Sequence, residues 1–401
     1  MIYVVEAFVE DYLHVLANVN LIKIFKNVYP NEPFVFISAE KHNVKVEKNF
    51  EGQNNDIIFQ SINNLAASEN FFVSVYRVFY RFYRDLRLLY TIFKKCKPND
   101  KIVVTHIHFM SLVLLKLIKK RYPDITVFSI IHGDVEYAYY PNNLRQKVVG
   151  FFHKLMFKID AKNFYYVFLT PISKKILVES KWIKSDDIFA IELPSFPNEN
   201  KYISNEYTQN KTIKIGHIGS AGLRKNVQLF YQLASRIKDS ISEERLEFSV
   251  VGVLDNSISS FLNPLVIDYV DGQVGKPLLR DVYDEKVSNL HYSIFFYGKN
   301  DFILRSSAAF FDAIFFEKPI IALRNTFFED IFKREGDIGY LCEDLEEMRR
   351  LMIDFTDKRE MYDDKYIVLL QNIKKYKAKL SIIDISFDLK KEIESRKIIE
   401  V

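Results

Sequence analysis

Residues 215–226 read IGHIGSAGLRKN, a stretch that combines regularly spaced glycines with a basic pair. Apolar residues precede it and the amphipathic run VQLFYQLASRI follows it, which predicts a strand, a tight loop and the start of a helix. Such a helix start presents free N–H groups and the positive end of a dipole, so it suits an anionic phosphate. Gly219 and Gly222 would let the backbone approach the ligand, and Arg224 and Lys225 would add charge. An ordinary turn with a solvated Arg-Lys pair is the alternative.

A second segment, LRSSAAFFDAIFFEKPIIALRN at 304–325, places polar side chains at the start of an apolar helix. Ser306 and Ser307 fall in its first turn, where hydroxyls and backbone N–H groups can hold an anion. Asp312 is the acid within this helix. It either faces solvent or, about two turns from the helix start, accepts hydrogen bonds from a ribose. The two segments together favour a nucleotide as the ligand.

Histidines close two of the predicted strands of the first half. His132 ends ITVFSIIHGD, and ligands of open α/β sheets sit at strand ends, although a locally hydrogen-bonded histidine would fit the same position. His106 and His108 flank Ile107 in KIVVTHIHF, and we expect at most one of them to face a ligand. No Asp or His spacing typical of a metal site is present, and the two cysteines, Cys96 and Cys342, are far apart. The sequence therefore predicts no bound metal and a reducing, cytoplasmic setting.

Strand-like runs alternate with helical patterns along the chain, which is typical of parallel βαβ units. The first half contains IYVVEA, PFVFIS, a long helical stretch, KIVVTHIHF, ITVFSIIHG, YVFLTPIS and FAIELPS. The second contains TIKIGHIGS, LEFSVVGVL, a loop region, LHYSIFFYG, KPIIALR and a helical tail. A segment rich in Pro, Asn and Ser lies between the halves and predicts a linker. We expect two doubly wound α/β domains at 1–197 and 213–380, a linker at 198–212 and a C-terminal helix at 381–401.

Composition is that of a globular protein, since 48% of the 401 residues are hydrophobic and 27% are charged. The net charge of +4 is uneven, because basic residues outnumber acidic ones in 1–205 and the reverse holds afterwards. This suggests an anionic partner or surface. The excess is too small to argue for nucleic acid, and no nucleic-acid motif is present. The N-terminal residues do not read as a signal peptide, and no apolar run is long enough to cross a membrane.

Residues 71–95, FFVSVYRVFYRFYRDLRLLYTIFKK, form an aromatic and basic helical pattern. At about 100° per residue, basic side chains fall on one stripe and apolar ones on the opposite stripe. The basic stripe comprises Arg77, Arg81, Arg84 and Lys95, and the apolar stripe comprises Phe72, Val75, Phe79, Phe82, Leu86, Leu89 and Phe93. We expect the apolar stripe to pack on the sheet, leaving the basic one exposed and able to touch lipid head groups. The alternative is a helix that lies on an anionic membrane surface.

The order of these motifs resembles that of GT-B glycosyltransferases, in particular the retaining group that uses nucleotide sugars. IGSAGLRKN is similar to the family's V-G-R-L-x-x-x-K-G/N, and LRSSAAFFDAIFFEKPII is similar to E-G-F-G-L-x-x-x-E-A-M-A-x-G-K-P-V-I. The segment YVDGQVGKPLLRDVYDEKVSNLHYSIFFYG resembles the part that binds the base. The resemblance covers nearly the whole chain. It implies two Rossmann-like domains facing a cleft, with the C-terminal helix crossing back to the first domain.

The resemblance also assigns roles to the matching residues. Lys225 would contact the donor diphosphate and Asp312 the ribose. The full donor-binding set is Gly219, Ser220, Arg224, Lys225, Val274, Arg305, Ser306, Ser307 and Asp312. His132 would be the catalytic residue at the transferred sugar, with His108 and Asp134 on the acceptor side. Two positions depart from the pattern, because Ser220 replaces an arginine and Leu304 replaces the glutamate that faces the sugar.

The implied activity is that of a metal-independent glycosyltransferase of the hexosyltransferase type. It would move a sugar from a UDP or GDP donor, without a cofactor, to a glycan or lipid-linked glycan in surface polysaccharide synthesis. It would act in the cytoplasm or peripherally at the inner face of the membrane. Retention of configuration is the family's outcome, which Leu304 leaves open. A sugar-nucleotide 2-epimerase and a non-catalytic protein that binds a nucleotide or glycan are alternatives with the same architecture.

Overall fold

The computed structural model describes residues 1–11, 13–51, 57–63, 71–193, 212–269 and 275–396, with the backbone alone described at 71–75. Contacts divide the chain into two compact units. Unit 1 comprises Met1–Pro194, Ile303–Ser306 and Ser381–Val401, and unit 2 comprises Ser195–Phe302 and Ser307–Leu380. Val274 and all but the last residue of the predicted linker lie outside the described residues.

Unit 1 is built on a parallel sheet of seven strands. These are β1 (Ile2–Glu6), β2 (Phe34–Ala39), β3 (Ile57–Ile62), β4 (Lys101–His106), β5 (Thr126–Ile131), β6 (Phe164–Phe168) and β7 (Ile188–Ala190). Their order is β3-β2-β1-β4-β5-β6-β7, so the chain winds outwards from β1 in one direction and then returns to wind in the other. Helices cover both faces, which is why the central strands are apolar on both sides and read as continuous apolar runs.

The helices of the first part of unit 1 follow its strands in alternation. They are α1 (Val15–Val28), α2 (Glu40–Glu47), α3 (Phe71–Lys95), α4 (Phe109–Lys119), α5 (Leu144–Lys158) and α6 (Pro171–Glu179). Local sequence explains two of their starts. Asn143 caps α5 by accepting a hydrogen bond from the backbone of Gln146 at 2.9 Å, and Pro171 occupies the first turn of α6.

The orientation of α3 differs from the prediction at the three arginines of the basic stripe and agrees with it at Lys95, Leu89 and Phe93. The side chains of Arg77, Arg81 and Arg84 face inwards and are only 18%, 16% and 10% exposed. Both Arg77 and Arg81 donate to Glu10 at 2.6 Å, so the basic stripe is neutralised by the loop after β1. The apolar stripe is divided, because Leu89 and Phe93 are buried whereas other large apolar side chains of α3 face outwards. The exposed ones are Tyr76, Val78, Phe79, Tyr83, Leu86 and Tyr90.

Unit 2 repeats the architecture with a parallel sheet of six strands. These are β8 (Ile213–Ala221), β9 (Leu246–Leu254), β10 (Val266–Tyr269), β11 (Tyr292–Phe295), β12 (Ile320–Leu323) and β13 (Gly339–Cys342), in the order β10-β9-β8-β11-β12-β13. Its helices are α7 (Gln228–Arg236), α8 (Lys238–Ser242), α9 (Arg280–Ser288), α10 (Ala308–Phe315), α11 (Thr326–Glu335), α12 (Leu345–Asp357) and α13 (Arg359–Lys379). The predicted α/β class with two doubly wound parallel sheets is confirmed.

The last helix, α14 (Ile382–Ser395), belongs to unit 1 rather than to the unit that precedes it in sequence. Its apolar side chains Ile385, Leu389 and Ile393 are buried in the same core cluster as Ile22 and Phe25 of α1. Ser381 caps the helix by accepting a hydrogen bond from the backbone of Asp384 at 3.0 Å.

Both sheets contain a topological switch point, where helices of adjacent strands leave towards opposite faces. In unit 1 this point lies between the carboxyl ends of β1 and β4, and in unit 2 it lies between those of β8 and β11. Open α/β sheets bind their ligands there. The polar residues at these two positions are therefore the first candidates for function.

Candidate functional site

In unit 2, the end of β8 and the loop that follows it pack tightly against the start of α10. Gly219 has a φ of +85°, and a β-carbon there would lie 3.2 Å from the β-carbon of Ala309 and 3.8 Å from the Nζ of Lys225. Glycine is required for both reasons, because other residues disfavour this conformation and would crowd α10. Residues Leu223–Lys225 then form one turn of 3₁₀ helix. The ammonium group of Lys225 is thereby held beside Gly219.

The N-terminus of α10 is shaped by Ser307. Its Oγ accepts a hydrogen bond from the backbone of Phe310 at 3.2 Å and lies 2.7 Å from the hydroxyl of Tyr297. The hydroxyl of Ser307 therefore caps the start of α10. The backbone N–H groups of the first turn, which have no partner within a helix, are the donors this end can offer a ligand. The Oγ of Ser306 is buried and has no hydrogen-bond partner among the described residues.

Asp312 lies further along α10 and is buried against α9. The hydroxyl of Tyr283 donates to its Oδ2 at 2.8 Å, and the guanidinium of Arg280 lies 3.7 Å from its Oδ1. Arg280 also pairs with Asp284 at 2.7 Å. Burial raises the pKa of Asp312 to about 6, although Arg280 and Tyr283 act in the opposite direction. Burial thus disfavours the ionised form of Asp312, whereas Arg280 and Tyr283 favour it.

In unit 1, a buried carboxylate organises the turn after β1. The backbone N–H groups of Phe8 and Val9 each donate to Oε1 of Glu6 at 3.1 Å. The side chains of Asn18 and Thr105 donate to its Oε2 at 3.2 Å and 3.3 Å. Burial nevertheless raises the pKa of Glu6 to about 7. The side chain thereby fixes a turn whose sequence has no glycine.

Three histidines converge beside this turn. Each of His14, His106 and His132 offers a ring nitrogen, and these three nitrogens lie within 4.8 Å of one another. The ring of His132 stacks on those of His106 and His14, with centroids 4.2 Å and 5.0 Å apart. Burial lowers the pKa of all three, in His14 to about 3, so the rings are neutral at pH 7. Sequence spacing gave no sign of this cluster, because its members come from three separate segments of the chain.

The remaining acceptor-side candidates lie near the cluster but outside it. His108 precedes α4, and its ring packs against Phe109 with centroids 4.2 Å apart. The Oδ2 of Asp134 lies 3.2 Å from the Nε2 of His153. Burial opposes the charge of Asp134, but His153 outweighs it and the pKa of the carboxyl is lowered. β4 ends at His106 and His108 lies beyond it, so the two histidines of the His-Ile-His stretch have different surroundings.

Arg305 and Leu304 lie in the short segment Ile303–Ser306, which belongs to unit 1 although the residues on either side of it in sequence belong to unit 2. The Nε of Arg305 lies 3.0 Å from Oε2 of Glu136, and the backbone of Leu304 donates to Oε1 of Glu136 at 3.1 Å. The side chain of Leu304 is 1% exposed and lies in the unit 1 core. Leucine at this position is therefore explained by packing. A β-carbon at Gly133 would lie 2.6 Å from Cδ of Arg305. The position of the Arg305 side chain therefore explains why residue 133 is a glycine.

Comparison with known proteins adds a further finding. No protein-family model and no curated protein matches the chain. Solved structures match it over nearly its whole length at low identity. The sucrose-phosphate synthase of Thermosynechococcus elongatus has a TM-score of 0.65 and 9% identity, over 99% of each chain. The E. coli trehalose-6-phosphate protein bound with UDP-2-fluoro glucose has a TM-score of 0.64 and 9% identity, over 100% of this chain and 99% of its own.

A Listeria monocytogenes protein described as a UDP-N-acetylglucosamine 2-epimerase is also similar. Its TM-score is 0.59 at 10% identity, over 100% of this chain and 97% of its own. The chain has the GT-B fold. This confirms the fold inferred from the order of the sequence motifs. Identities near 10% establish the shared fold alone.

Within this GT-B chain, the structure brings some predicted donor residues together and separates others. Gly219 and Lys225 adjoin the start of α10, where Ser307 lies, and Asp312 follows on the same helix. Ser220 at the end of β8 and Arg224 in the turn that follows both have exposed side chains. Arg305 and Ser306 instead belong to unit 1.

Two residues of the candidate site were missed by sequence reasoning, Arg280 and Tyr283 of α9. They stand one turn apart in RDVYDEKV, so both reach the same neighbour on α10. Helical spacing of polar residues was the available signal, but it does not identify the partner. None of the helices in the described ranges combines the length and apolar character that crossing a membrane requires.

Proposed function

We propose that the protein is a glycosyltransferase whose unit 2 binds a nucleotide-sugar donor. The observation that carries the proposal is the association of the Gly219 loop and Lys225 with the start of α10, on the helix that also bears the buried Asp312. A cation and free N–H groups suit a diphosphate. A carboxylate about 6 Å further along the helix axis suits the hydroxyls of a ribose.

The proposed chemistry is charge stabilisation of the departing nucleoside diphosphate. Glycosyl transfer passes through an oxocarbenium-like transition state, and negative charge develops on the leaving group. Lys225 and the N–H groups of α10 supply positive potential where this charge would appear. We therefore propose that the diphosphate is stabilised by protein groups, without a requirement for a metal ion at the donor.

The finer features of the reaction follow from the resemblance of the sequence motifs. We propose a UDP or GDP sugar as the donor, and a glycan or lipid-linked glycan of surface polysaccharide synthesis as the acceptor. The similarity to an E. coli structure bound with UDP-2-fluoro glucose supports uridine as the first base to test. His132 is proposed at the transferred sugar, with His108 and Asp134 on the acceptor side. Retention of configuration would then not depend on a carboxylate at Leu304.

Thermal unfolding with a panel of nucleotides tests the donor site. UDP, GDP, dTDP, CMP and ADP are added to wild type, Lys225→Ala and the control Lys238→Ala, whose lysine is exposed at the start of α8. A bound ligand raises the unfolding temperature by mass action. We expect one nucleoside diphosphate to stabilise wild type and Lys238→Ala, and to stabilise Lys225→Ala less. Equal shifts in all three proteins would refute the assigned role of Lys225, and no shift with any nucleotide would refute the donor site.

A sugar-nucleotide 2-epimerase is the second candidate, favoured by the similarity to the Listeria monocytogenes protein. Product analysis separates the two activities. Incubation with the stabilising sugar nucleotide should release free nucleoside diphosphate if the protein is a transferase, through slow hydrolysis in the absence of an acceptor. Formation of an isomerised sugar nucleotide would support the epimerase. A protein that binds the nucleotide and yields neither product would be the non-catalytic binder.

We also propose that unit 1 associates peripherally with an anionic membrane at its inner face. The support comes from α3, whose exposed side includes Tyr76, Phe79, Tyr83 and Tyr90. Aromatic side chains of this kind sit at the head-group level of a bilayer. Exposed cations accompany them on the same helix at Arg87, Lys94 and Lys95. The contact would thus be made by the aromatic side of α3, because the arginine stripe faces inwards.

A further inference from the structure

We infer that His14, His106 and His132 form a binding site for one divalent transition-metal ion of the zinc type. The three side chains offer ring nitrogens within 4.8 Å of one another at the carboxyl ends of the unit 1 strands. Three nitrogen donors suit Zn²⁺, Co²⁺, Ni²⁺ or Cu²⁺, whereas Mg²⁺ and Ca²⁺ prefer oxygen. The site lies in unit 1, whereas the diphosphate and ribose contacts proposed for the donor lie in unit 2.

The fold explains why these histidines meet. His106 is the last residue of β4, and His132 directly follows β5, its neighbour in the sheet. His14 precedes α1, which begins after the turn that follows β1. Since β1, β4 and β5 are adjacent and parallel, their carboxyl ends open at one edge of the sheet. The cluster therefore occupies the switch point of unit 1, where a bound ligand is expected.

The hydrogen bond of His132 indicates which nitrogen it would offer to a metal. Its Nε2 lies 2.5 Å from the carbonyl oxygen of Thr105, which can only accept, so Nε2 carries the proton. Nδ1 then bears the lone pair. Histidines that bind metals commonly donate their other ring N–H to a backbone carbonyl in this way, which fixes the tautomer and the orientation of the ring.

The other two histidines have nitrogens that lack partners. The Nδ1 atoms of His106 and His14 are buried and form no hydrogen bond among the described residues. A buried polar atom without a partner is costly, and two of them beside a third imidazole call for an explanation. A metal ion supplies a shared electrophile for all three rings. Glu6, whose Oε2 lies 4.0 Å from Nδ1 of His14, places a buried carboxylate beside the cluster.

The geometry requires a small adjustment. Ligand nitrogens of a tetrahedral zinc site lie about 3.3 Å apart, given Zn–N bonds of about 2.0–2.1 Å. The rings must therefore close by up to about 1.5 Å, which is within the reach of side-chain rotation. The ring of His14 is the one best able to move, because its side chain is 35% exposed. His14 also lies in the loop before α1, where its φ is 62°. Three protein ligands leave a fourth position for water or for an oxygen of a bound ligand.

Titration with Co²⁺ tests the site on the full-length protein after treatment with a chelator. Binding is followed by the visible absorption of the metal, and Zn²⁺ is then added as a competitor. We expect one equivalent of Co²⁺ per chain, displaced by Zn²⁺. Affinity should fall at least about tenfold in His14→Gln, His106→Ala and His132→Ala. The control His108→Gln changes a histidine of the same strand end that is outside the cluster, and should bind as wild type does.

The variants also separate loss of the site from loss of the fold. Circular dichroism and the unfolding temperature are recorded without metal, and His14→Gln is the decisive variant because its side chain is partly exposed. Zn²⁺ should raise the unfolding temperature of wild type and of His108→Gln, but not that of folded His14→Gln. Absence of binding by wild type, or equal affinity in wild type and a folded cluster variant, would overturn the inference. Nucleotide binding should be unchanged in His14→Gln, so the two sites can fail separately.

Discussion

Replacement of Asp312 by asparagine should make the protein more stable and weaken its binding of the donor. The carboxyl has a pKa of about 6 in the folded protein, against an ordinary value of 3.8. At pH 7 the folded state therefore bears a cost of about 3 kcal/mol for ionising this side chain. Asparagine carries no charge and avoids this cost. It accepts a weaker hydrogen bond from Tyr283, which loses about 1 kcal/mol. The expected net gain is about 2 kcal/mol.

Unfolding temperature and pH together measure this gain. For a unit of about 150–250 residues, 2 kcal/mol corresponds to a rise of about 4–8 °C. Because the folded-state pKa is raised, the penalty is absent below the ordinary pKa, grows between about pH 4 and pH 6, and is complete above pH 7. The two pKa values predict that the advantage of Asp312→Asn at pH 5 is smaller than at pH 7 by about 1 kcal/mol. The control Asp239→Asn, at an exposed site in α8, should show neither effect.

Two results would refute this reasoning. Lower stability of Asp312→Asn at pH 7 would mean that Tyr283 and Arg280 stabilise the carboxylate more than burial destabilises it. An advantage that does not change between pH 5 and pH 7 would mean that ionisation is not its cause. The binding measurement is independent of both. If the stabilised variant binds the nucleotide as tightly as wild type, Asp312 has no role at the ribose.

Three further predictions concern the donor loop, the donor itself and the membrane. Gly219→Ala should lower stability by about 1–2 kcal/mol, because alanine at a φ of +85° is strained and would crowd Ala309, and calorimetric titration should show weaker nucleotide binding. Binding of UDP-glucose, whose diphosphate has no proton to lose near pH 6, should weaken as pH falls through about 6 in wild type and be independent of pH in Asp312→Asn. Replacing Phe79 and Tyr83 together by serine should reduce cosedimentation with anionic vesicles without lowering the unfolding temperature, since both side chains are exposed; unchanged cosedimentation would refute the membrane role of α3.

Sequence reasoning found every central strand of the two sheets and one edge strand, β7. β1, β2 and β5 are covered on both faces, so all their residues are buried and most of them are apolar. β3, β10 and β13 were missed, and all three are edge strands. An edge strand can alternate apolar and exposed positions over a few residues, as β3 does. Such a short pattern does not stand out within a stretch that otherwise reads as helix or loop.

Helical periodicity likewise located the two stripes of α3 without showing which of them faces the sheet. Burial of an apolar stripe is the usual outcome. Here Glu10 accepts from both Arg77 and Arg81, and Arg84 donates to the carbonyl of Ala7 and to Asp85. These acceptors lie in the turn after β1 and on α3 itself. An arginine can face inwards when its guanidinium N–H groups have such acceptors. The sequence of the helix alone did not show that these acceptors would be present.

The site shows the same division between what is local and what is brought together by the fold. Gly219, Lys225 and Asp312 were found because a strand, a loop and a helix start leave a contiguous signature around them. The cluster of His14, His106 and His132 leaves none, because each residue is an isolated imidazole at the end of a different strand or turn. The sequence placed His106 and His108 at the end of a predicted strand, but it could not say what His106 would meet. Parallel strand order decides that, since it sets the ends of β1, β4 and β5 side by side and so makes one polar site from three separate segments.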